Sequence, residues 1–248
     1  MRAKFISVVL VAWAVCAAGA GRLAADMATD LARVSVEAAG GLSAHAALRG
    51  LRAEGVTKVG DREVAFVLYS ERPDRVRIET TSDGQTLVRA YDGVHVPWKR
   101  NGADGEPRAL KGVELKDFLM DADFDSPLFL PAHRKISLDY AGEVTNEGRP
   151  CQKLLAMVRF TDLLTLYLDD ETHLLVRKDV TKRVRGQSVV VETHFSDFAP
   201  LNKVLMPRRI RTVVGKATLH ETVIQKWTAN PEFPKNFFSP PAADWPLQ

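Results

Sequence analysis

Cysteine is almost missing from this chain: of 248 residues only Cys16 and Cys151 carry a thiol. Cys16 falls in a removable leader, so one cysteine is left and no internal disulfide can form. The fold must then stand on its core, and a chain of this length buries about 70–75% of its unfolded surface. After the leader no apolar run approaches the ~20 residues that cross a bilayer. Charge of one sign is also scarce, the formal net charge being +3. That is no electrostatic footprint for nucleic acid, which favours a strongly basic face. The six histidines (45, 95, 133, 173, 194 and 220) are scattered, with no His-x-x-x-His and no adjacent cysteine. Nothing there suggests a zinc site. Gly-x-Ser-x-Gly, phosphate-cradling and dinucleotide-binding patterns are all absent. Triads assemble from distant residues, so these absences remove the positive reason for an enzyme rather than forbidding one.

What is present begins with the leader. Arg2 and Lys4 precede an apolar run, Phe5–Ala20, that ends in Ala18-Gly19-Ala20. A basic start, a short apolar core and a small-x-small ending predict a secretory signal peptide over residues 1–20, cleaved near Ala20. A membrane anchor would need a longer run. A lipoprotein signal would need a small residue before Cys16, where Val15 stands. Removing the leader takes two basic and no acidic residues and lowers the formal charge from +3 to +1. Residues 21–248 show no repeat, linker or shift of composition and read as a single domain. Cys151 reads as a buried small side chain on a strand.

The central stretch is Leu163–Phe198, whose two long strands flank Arg185-Gly186. Taking that pair as a hairpin turn places Val176 opposite Phe195, Val180 opposite Val191 and Lys182 opposite Val189. The other face then pairs Arg177 with His194, Asp179 with Glu192 and Arg183 with Ser188. One face is mostly apolar and one polar, the pattern of an antiparallel sheet wetted on one side. Lys182, Arg183 and Arg185 read as a solvated cluster that deters edge pairing.

Helical spacing predicts Asp26–Ala39, with Met27, Leu31, Val34 and Ala38 on its stripe, and a short helix at Ser43–Leu48. Period-two alternation predicts strands at about 51–59, 63–70, 75–81, 85–91 and 94–99. Further strands fall at about 135–144, 152–160, 163–168, 173–184, 187–198, 204–214 and 217–227, with turn chemistry between them. The rhythm breaks at residues 100–134. Val113–Met120 has helical spacing through Leu115, Phe118 and Leu119, and Asp121–Pro131 packs Phe124, Leu128, Phe129 and Leu130 into a stretch without a period. An apolar loop must cover something or be covered. Asp121, Asp123 and Asp125 fail as a calcium loop, because Ser126 and Ala132 stand where Gly and Glu are needed, and read as a flexible acidic turn. The tail, NPEFPKNFFSPP over Asn230–Pro241, is too rich in proline for a strand interior.

About a dozen sequential strands suit a meander curled into a barrel or half-barrel, with a two-sheet sandwich as the rival. A one-faced sheet, few helices and an apolar insertion fit a lidded cavity. A filled core fits them equally well.

Spaced phrases carry a family resemblance. They are Arg72-Pro73 followed by Arg75-Val-Arg77, Tyr91-Asp-Gly93 with Trp98, and Tyr167-Leu-Asp169 with Thr172 and Leu174-Leu175. Phe195-Ser-Asp197, Leu205-Met-Pro207 and the NPEF…FFSPP tail follow. Over residues 28–241 the chain resembles the periplasmic lipoprotein-sorting (LolA-like) superfamily, in its outer-membrane lipoprotein-sorting-like branch. The resemblance implies a mainly β fold, a strongly curved antiparallel half-barrel of about eleven strands with helices as a lid over its concave face. It implies a periplasmic, non-catalytic carrier without cofactor or metal, holding lipoprotein acyl chains or another lipid. It also implies a monomer that meets an inner-membrane exporter or outer-membrane acceptor and no nucleic acid. The alternative is an envelope interaction or sensor module of the same fold, acting through a membrane-protein partner. The residues expected to line the hollow are Val76, Ile78, Val88, Met157, Leu166, Val176, Val180, Val191 and Phe195, with Phe118, Phe124 and Phe129 above them.

Overall fold

The computed structural model describes residues 26–159, 162–184, 187–241 and 245–247. The expected signal peptide and the expected Arg185-Gly186 turn lie outside the described residues, as does the side chain of Asp121. Helix α1 occupies residues 26–38, α2 Leu42–Ala47 and α3 Gly112–Ala122. Thirteen strands are described: β1 (Gly50–Val59), β2 (Arg62–Glu71), β3 (Arg75–Ser82), β4 (Gln85–Tyr91), β5 (Trp98–Asn101), β6 (Arg108–Ala109), β7 (Ser137–Asn146), β8 (Arg149–Val158), β9 (Asp162–Asp169), β10 (Leu175–Val184), β11 (Gln187–Leu201), β12 (Val204–Val214) and β13 (Ala217–Ala229).

The strands pair in the order β6-β5-β4-β3-β2-β1-β13-β12-β11-β10-β9-β8-β7. The fold is thus mainly β and antiparallel, as expected, in one sheet that does not close. A two-sheet sandwich is excluded, since all thirteen described strands belong to one sheet. The two-residue β6 is the addition to the expected pattern. The strand expected at 94–99 starts instead at Trp98, because Pro97 has no N–H to give a ladder. Turn chemistry worked locally: Asp83-Gly84 and Glu147-Gly148 both take the left-handed backbone of a two-residue hairpin loop.

The chain divides into two compact units, one of residues up to Ala38 with Pro127–Thr181, the other of Ala39–Ser126 with Lys182–Gln248. In the first, α1 buries Ala28, Ala32, Ser35 and Val36, whereas Met27 of the expected stripe is exposed. The stripe is turned by one residue because the helix presents its small side chains inward, which permits a close approach. On β8 and β9, Leu154, Ala156, Leu164, Leu166 and Leu168 share one face and are all buried. Each such large side chain contributes about 1.5–3 kcal/mol. Leu128 and Phe129 are buried in the same unit.

The opposite face of this unit is polar but not wet. Arg177 gives two hydrogen bonds to Asp179, at 2.7 and 2.9 Å, and Tyr167 Oη gives a third at 2.9 Å. Asp179, expected on a solvated face, is buried, which its three donors make tolerable. At the β9–β10 turn, buried Asp169 accepts from Thr172 N and Oγ1, both at 2.8 Å, and faces Arg149 at 3.1 Å. Burial disfavours its charge, but these donors outweigh that and hold its carboxyl below the ordinary value of 3.8. A carboxylate depressed in the folded state adds stability that is complete above the unfolded value and is lost as pH falls through the folded one. Thermal melts of the wild type should therefore fall steeply below about pH 4, and Asp169→Asn should flatten that segment while lowering the neutral-pH melt. Cys151 lies opposite Asp169 on β8 and is buried. Burial, then the Asp169 charge, pushes its thiol upward, which keeps it protonated and inert.

In the second unit, residues directly opposite in antiparallel pairs share a face. One face carries Leu51, Ala53, Leu68, Val76, Ile78 and Tyr91. Gly55 of β1 stands opposite a bulge in β13, where a Cβ would lie 2.0 Å from the Val223 carbonyl oxygen. Only glycine permits that approach. Leu48, Leu51, Ala53, Leu201 and Val204 form one buried cluster, with Ala44 of α2 and Phe124 packed against it. Val76, Tyr91 and Leu110 form another with Phe118, Leu119 and Ala122 of α3. We term this the helix side. The tail covers the other side: Phe233, Phe237 and Phe238 pack against one another and, through Phe233 and Phe237, against Tyr69.

Candidate functional site: a cavity under the third helix

Helix α3 forms where Leu115, Phe118, Leu119 and Ala122 recur at the helical period. The expected inner stripe is the observed one, since Phe118, Leu119 and Ala122 are buried and Leu115 packs against them. Lys111, at the N-terminal boundary, makes no side-chain cap, so tertiary contacts hold the helix down. Two of them are ion pairs: Lys99 of β5 meets Glu114 at 2.7 Å, and Lys182 of β10 meets Asp117 at 2.8 Å. Lys182 is thus a contact to α3 rather than part of a free solvated cluster.

The far end of α3 is pinned by Arg72. Its guanidinium binds both oxygens of Asp125, at 2.5–3.0 Å, and gives a further bond to the Ala46 carbonyl of α2. The same group lies 4.9 Å above the Phe124 ring, and Phe124 N reaches the Pro73 carbonyl. Asp125 is therefore one end of an ion pair, not part of a flexible acidic turn. Charge-assisted, bidentate pairs are the strong ones. Arg72→Ala should cost about 1.5–3 kcal/mol and open residues 123–126 to protease. Urea unfolding and limited proteolysis would check this, with Arg72→Lys falling between.

Between the N-terminal half of α3 and strands β3 and β4 lies a cavity of about 400 Å³, lined by Ile78, Arg89, Val113, Glu114, Asp117 and Phe118. Ile78, Val113 and Phe118 make its apolar lining, and its acids are the two held by Lys99 and Lys182. Arg89 stands 5.8 Å from the Phe118 ring centroid, and its Nε is buried without a hydrogen-bond partner.

Of the twelve expected lining residues, only Ile78 and Phe118 line this cavity. Val76 is buried beside it, in the cluster that includes Phe118, and Phe124 packs with Leu48 and Leu51 on the same side. Val191 and Phe195 reach the helix side by register, through Val214 and Ile210 of β12 and Thr222 of β13. Val88 does not. It pairs with Glu79, one residue out of step with Ile78, and packs with Ala90, Trp98 and Trp245 on the tail side. In the other unit, Val180 and Leu166 share a face, opposite Leu164 and Lys178 respectively. Met157 is opposite Leu163 and so lies on the reverse face. Val176 sits at a bulge between Leu175 and Arg177, and Phe129 is buried. Val88 and Met157 thus each stand one residue out of step with expected neighbours, on strands with apolar residues on each side. Arg89 and Leu110 were missed altogether, and Arg72 was noted only as part of a resemblance phrase. Their only signal is a charged or apolar residue of ordinary type, given meaning by a partner distant in the chain.

Among the described residues no group of three His, Cys, Asp or Glu side chains could hold a metal ion, and no helix is long and apolar enough to cross a membrane. No family model matches the chain, and no curated protein does. Solved structures do. An outer membrane lipoprotein-sorting protein domain from Vibrio parahaemolyticus superposes with a TM-score of 0.61 at 12% identity, over 87% of this chain and 97% of that one. A DUF1329 family protein from Desulfovibrio piger gives 0.60 at 14% identity over the same shares. A LolA superfamily protein from Nitrosomonas europaea gives 0.56 at 12%, over 86% and 97%. At these identities the likeness establishes the fold.

Proposed function

We propose that this chain, which has the LolA-like fold, is a periplasmic, non-catalytic carrier that holds an acyl chain of a lipid or lipoprotein under α3. The observation carrying the proposal is the cavity between α3 and β3–β4, apolar at Ile78, Val113 and Phe118 and roofed by a helix held through side-chain pairs. A cavity of about 400 Å³ lies in the lower half of the roughly 300–1,000 Å³ range of small-ligand sites. Each methylene moved there from water contributes ~0.8 kcal/mol, so a dry apolar surface suffices and no reacting group is needed. A roof fastened through side chains, by buried Phe118, Leu119 and Ala122 and by two ion pairs, can shift to admit a chain wider than the space beneath it. Secretion through the leader over residues 1–20 would place it in the envelope, where acyl chains must cross water.

Native mass spectrometry of protein purified gently from the periplasm, with lipid extraction alongside, tests the reading. An acylated species bound at one copy per chain is expected. Protein that is empty as isolated and takes up no acyl probe would overturn it.

A further inference from the structure

The cavity carries one more feature, its charge. Its lining holds one cation, Arg89, and two acids, Glu114 and Asp117. Each acid already has its own lysine, Lys99 and Lys182. Arg89 has the Phe118 ring and no hydrogen bond or ion pair among the described residues. One positive charge is therefore in surplus beside an apolar space, with a buried Nε–H unsatisfied. Leaving a buried donor unmet is costly, and a ligand that supplied an acceptor would recover that cost. Resting on the carrier reading above, we infer that the occupant is a single-chain amphiphile with a monoanionic carboxylate head, its tail against Ile78, Val113 and Phe118 and its head on Arg89. One unpaired guanidinium matches one carboxylate in charge and in its two-pronged geometry. A doubly charged phosphate head would keep one charge unmet. The cavity volume suits one chain rather than several. Arg89 projects from β4 opposite Ile78, so the rigid sheet, and not the movable helix, positions the head.

Dodecanoate and dodecanol, identical in chain and different in head, test this by calorimetry on delipidated protein. Wild type should bind the acid roughly tenfold or more tightly than the alcohol. Arg89→Met should remove that preference, and Arg89→Lys should restore part of it. Equal binding of acid and alcohol by wild type, or a preference that survives Arg89→Met, would overturn the inference and leave the carrier reading intact. Binding of neither would sink both. A readout independent of variant folding is the carbon-13 resonance of carboxyl-labelled dodecanoate on wild type. Beside a guanidinium the bound acid should titrate at lower pH than the free acid. An unshifted or raised midpoint would refute the Arg89 anchor.

Discussion

Phe118→Ala should lower unfolding free energy by about 3–5 kcal/mol and abolish uptake of a twelve-carbon alcohol probe. The side chain is 5% exposed and joins α3 to Val76, Tyr91 and Leu110. Its ring also lines the cavity and backs Arg89. Truncation therefore leaves a void in the contact that seats the helix and removes the surface an acyl chain would cover. Val113→Ala separates the two roles. Val113 is 69% exposed yet lines the same cavity, so its truncation should change stability by no more than about 0.5 kcal/mol while weakening probe binding. Urea unfolding and probe titration measure the two quantities. If Phe118→Ala loses stability but binds as before, α3 is packing alone and the space beneath it is not where a chain sits.

A chain shortened to end at Asn230 should fail to hold its sheet at 37 °C, and Phe238→Ala alone should cost about 3–5 kcal/mol. The tail binds the sheet on the side away from α3. Phe237 and Phe238 contact at 5.2 Å, Phe233 and Phe238 at 4.9 Å, and Tyr69 meets Phe237 edge-on at 4.9 Å. Such pairs add about 0.5–1.5 kcal/mol each beyond their buried area. Arg77 lies 4.8 Å over the Phe237 ring and bonds the Phe237 carbonyl, while Trp98 Nε1 gives a hydrogen bond to the Phe238 carbonyl at 3.2 Å. Trp245 adds a bond to the Val96 carbonyl. Against a total stability of about 5–15 kcal/mol, losing all of these removes most of the margin. Phe238→Ala, tested below its melting point, should still bind the acyl probe, because the cavity opens on the other side. Tryptophan emission should shift red as Trp98 loses cover. A truncated chain with wild-type melting would show that the tail only rests on the sheet.

Much of the architecture follows from short-range pattern. Ser82-Asp83-Gly84 turns because Asp and Gly tolerate the left-handed backbone there, and α3 places Phe118 and Leu119 inward because their spacing matches the helical turn. Physics within a few residues decides such features, so neighbouring residues suffice to read them. Which face of a strand meets which cover is decided elsewhere. Val88 looks like a lining residue, yet the tail side needs it, because Trp98 and Trp245 supply an apolar cover there that no alternation reveals. Arg72 is an ordinary turn arginine until Asp125, 53 positions later, comes within reach. Trp98 and Phe238 stand 140 positions apart. Period two tells a strand that it has two faces and never which one is buried when both are apolar. A bulge such as that in β13 opposite Gly55 reverses the count partway along. The sequence alone therefore determined most of the strands, turns such as Asp83-Gly84, the inner stripe of α3 and the resemblance in fold. Only the tertiary structure decided the faces, the Arg72 pin and the uncompensated charge of Arg89, since each depends on partners that the folded sheet brings together.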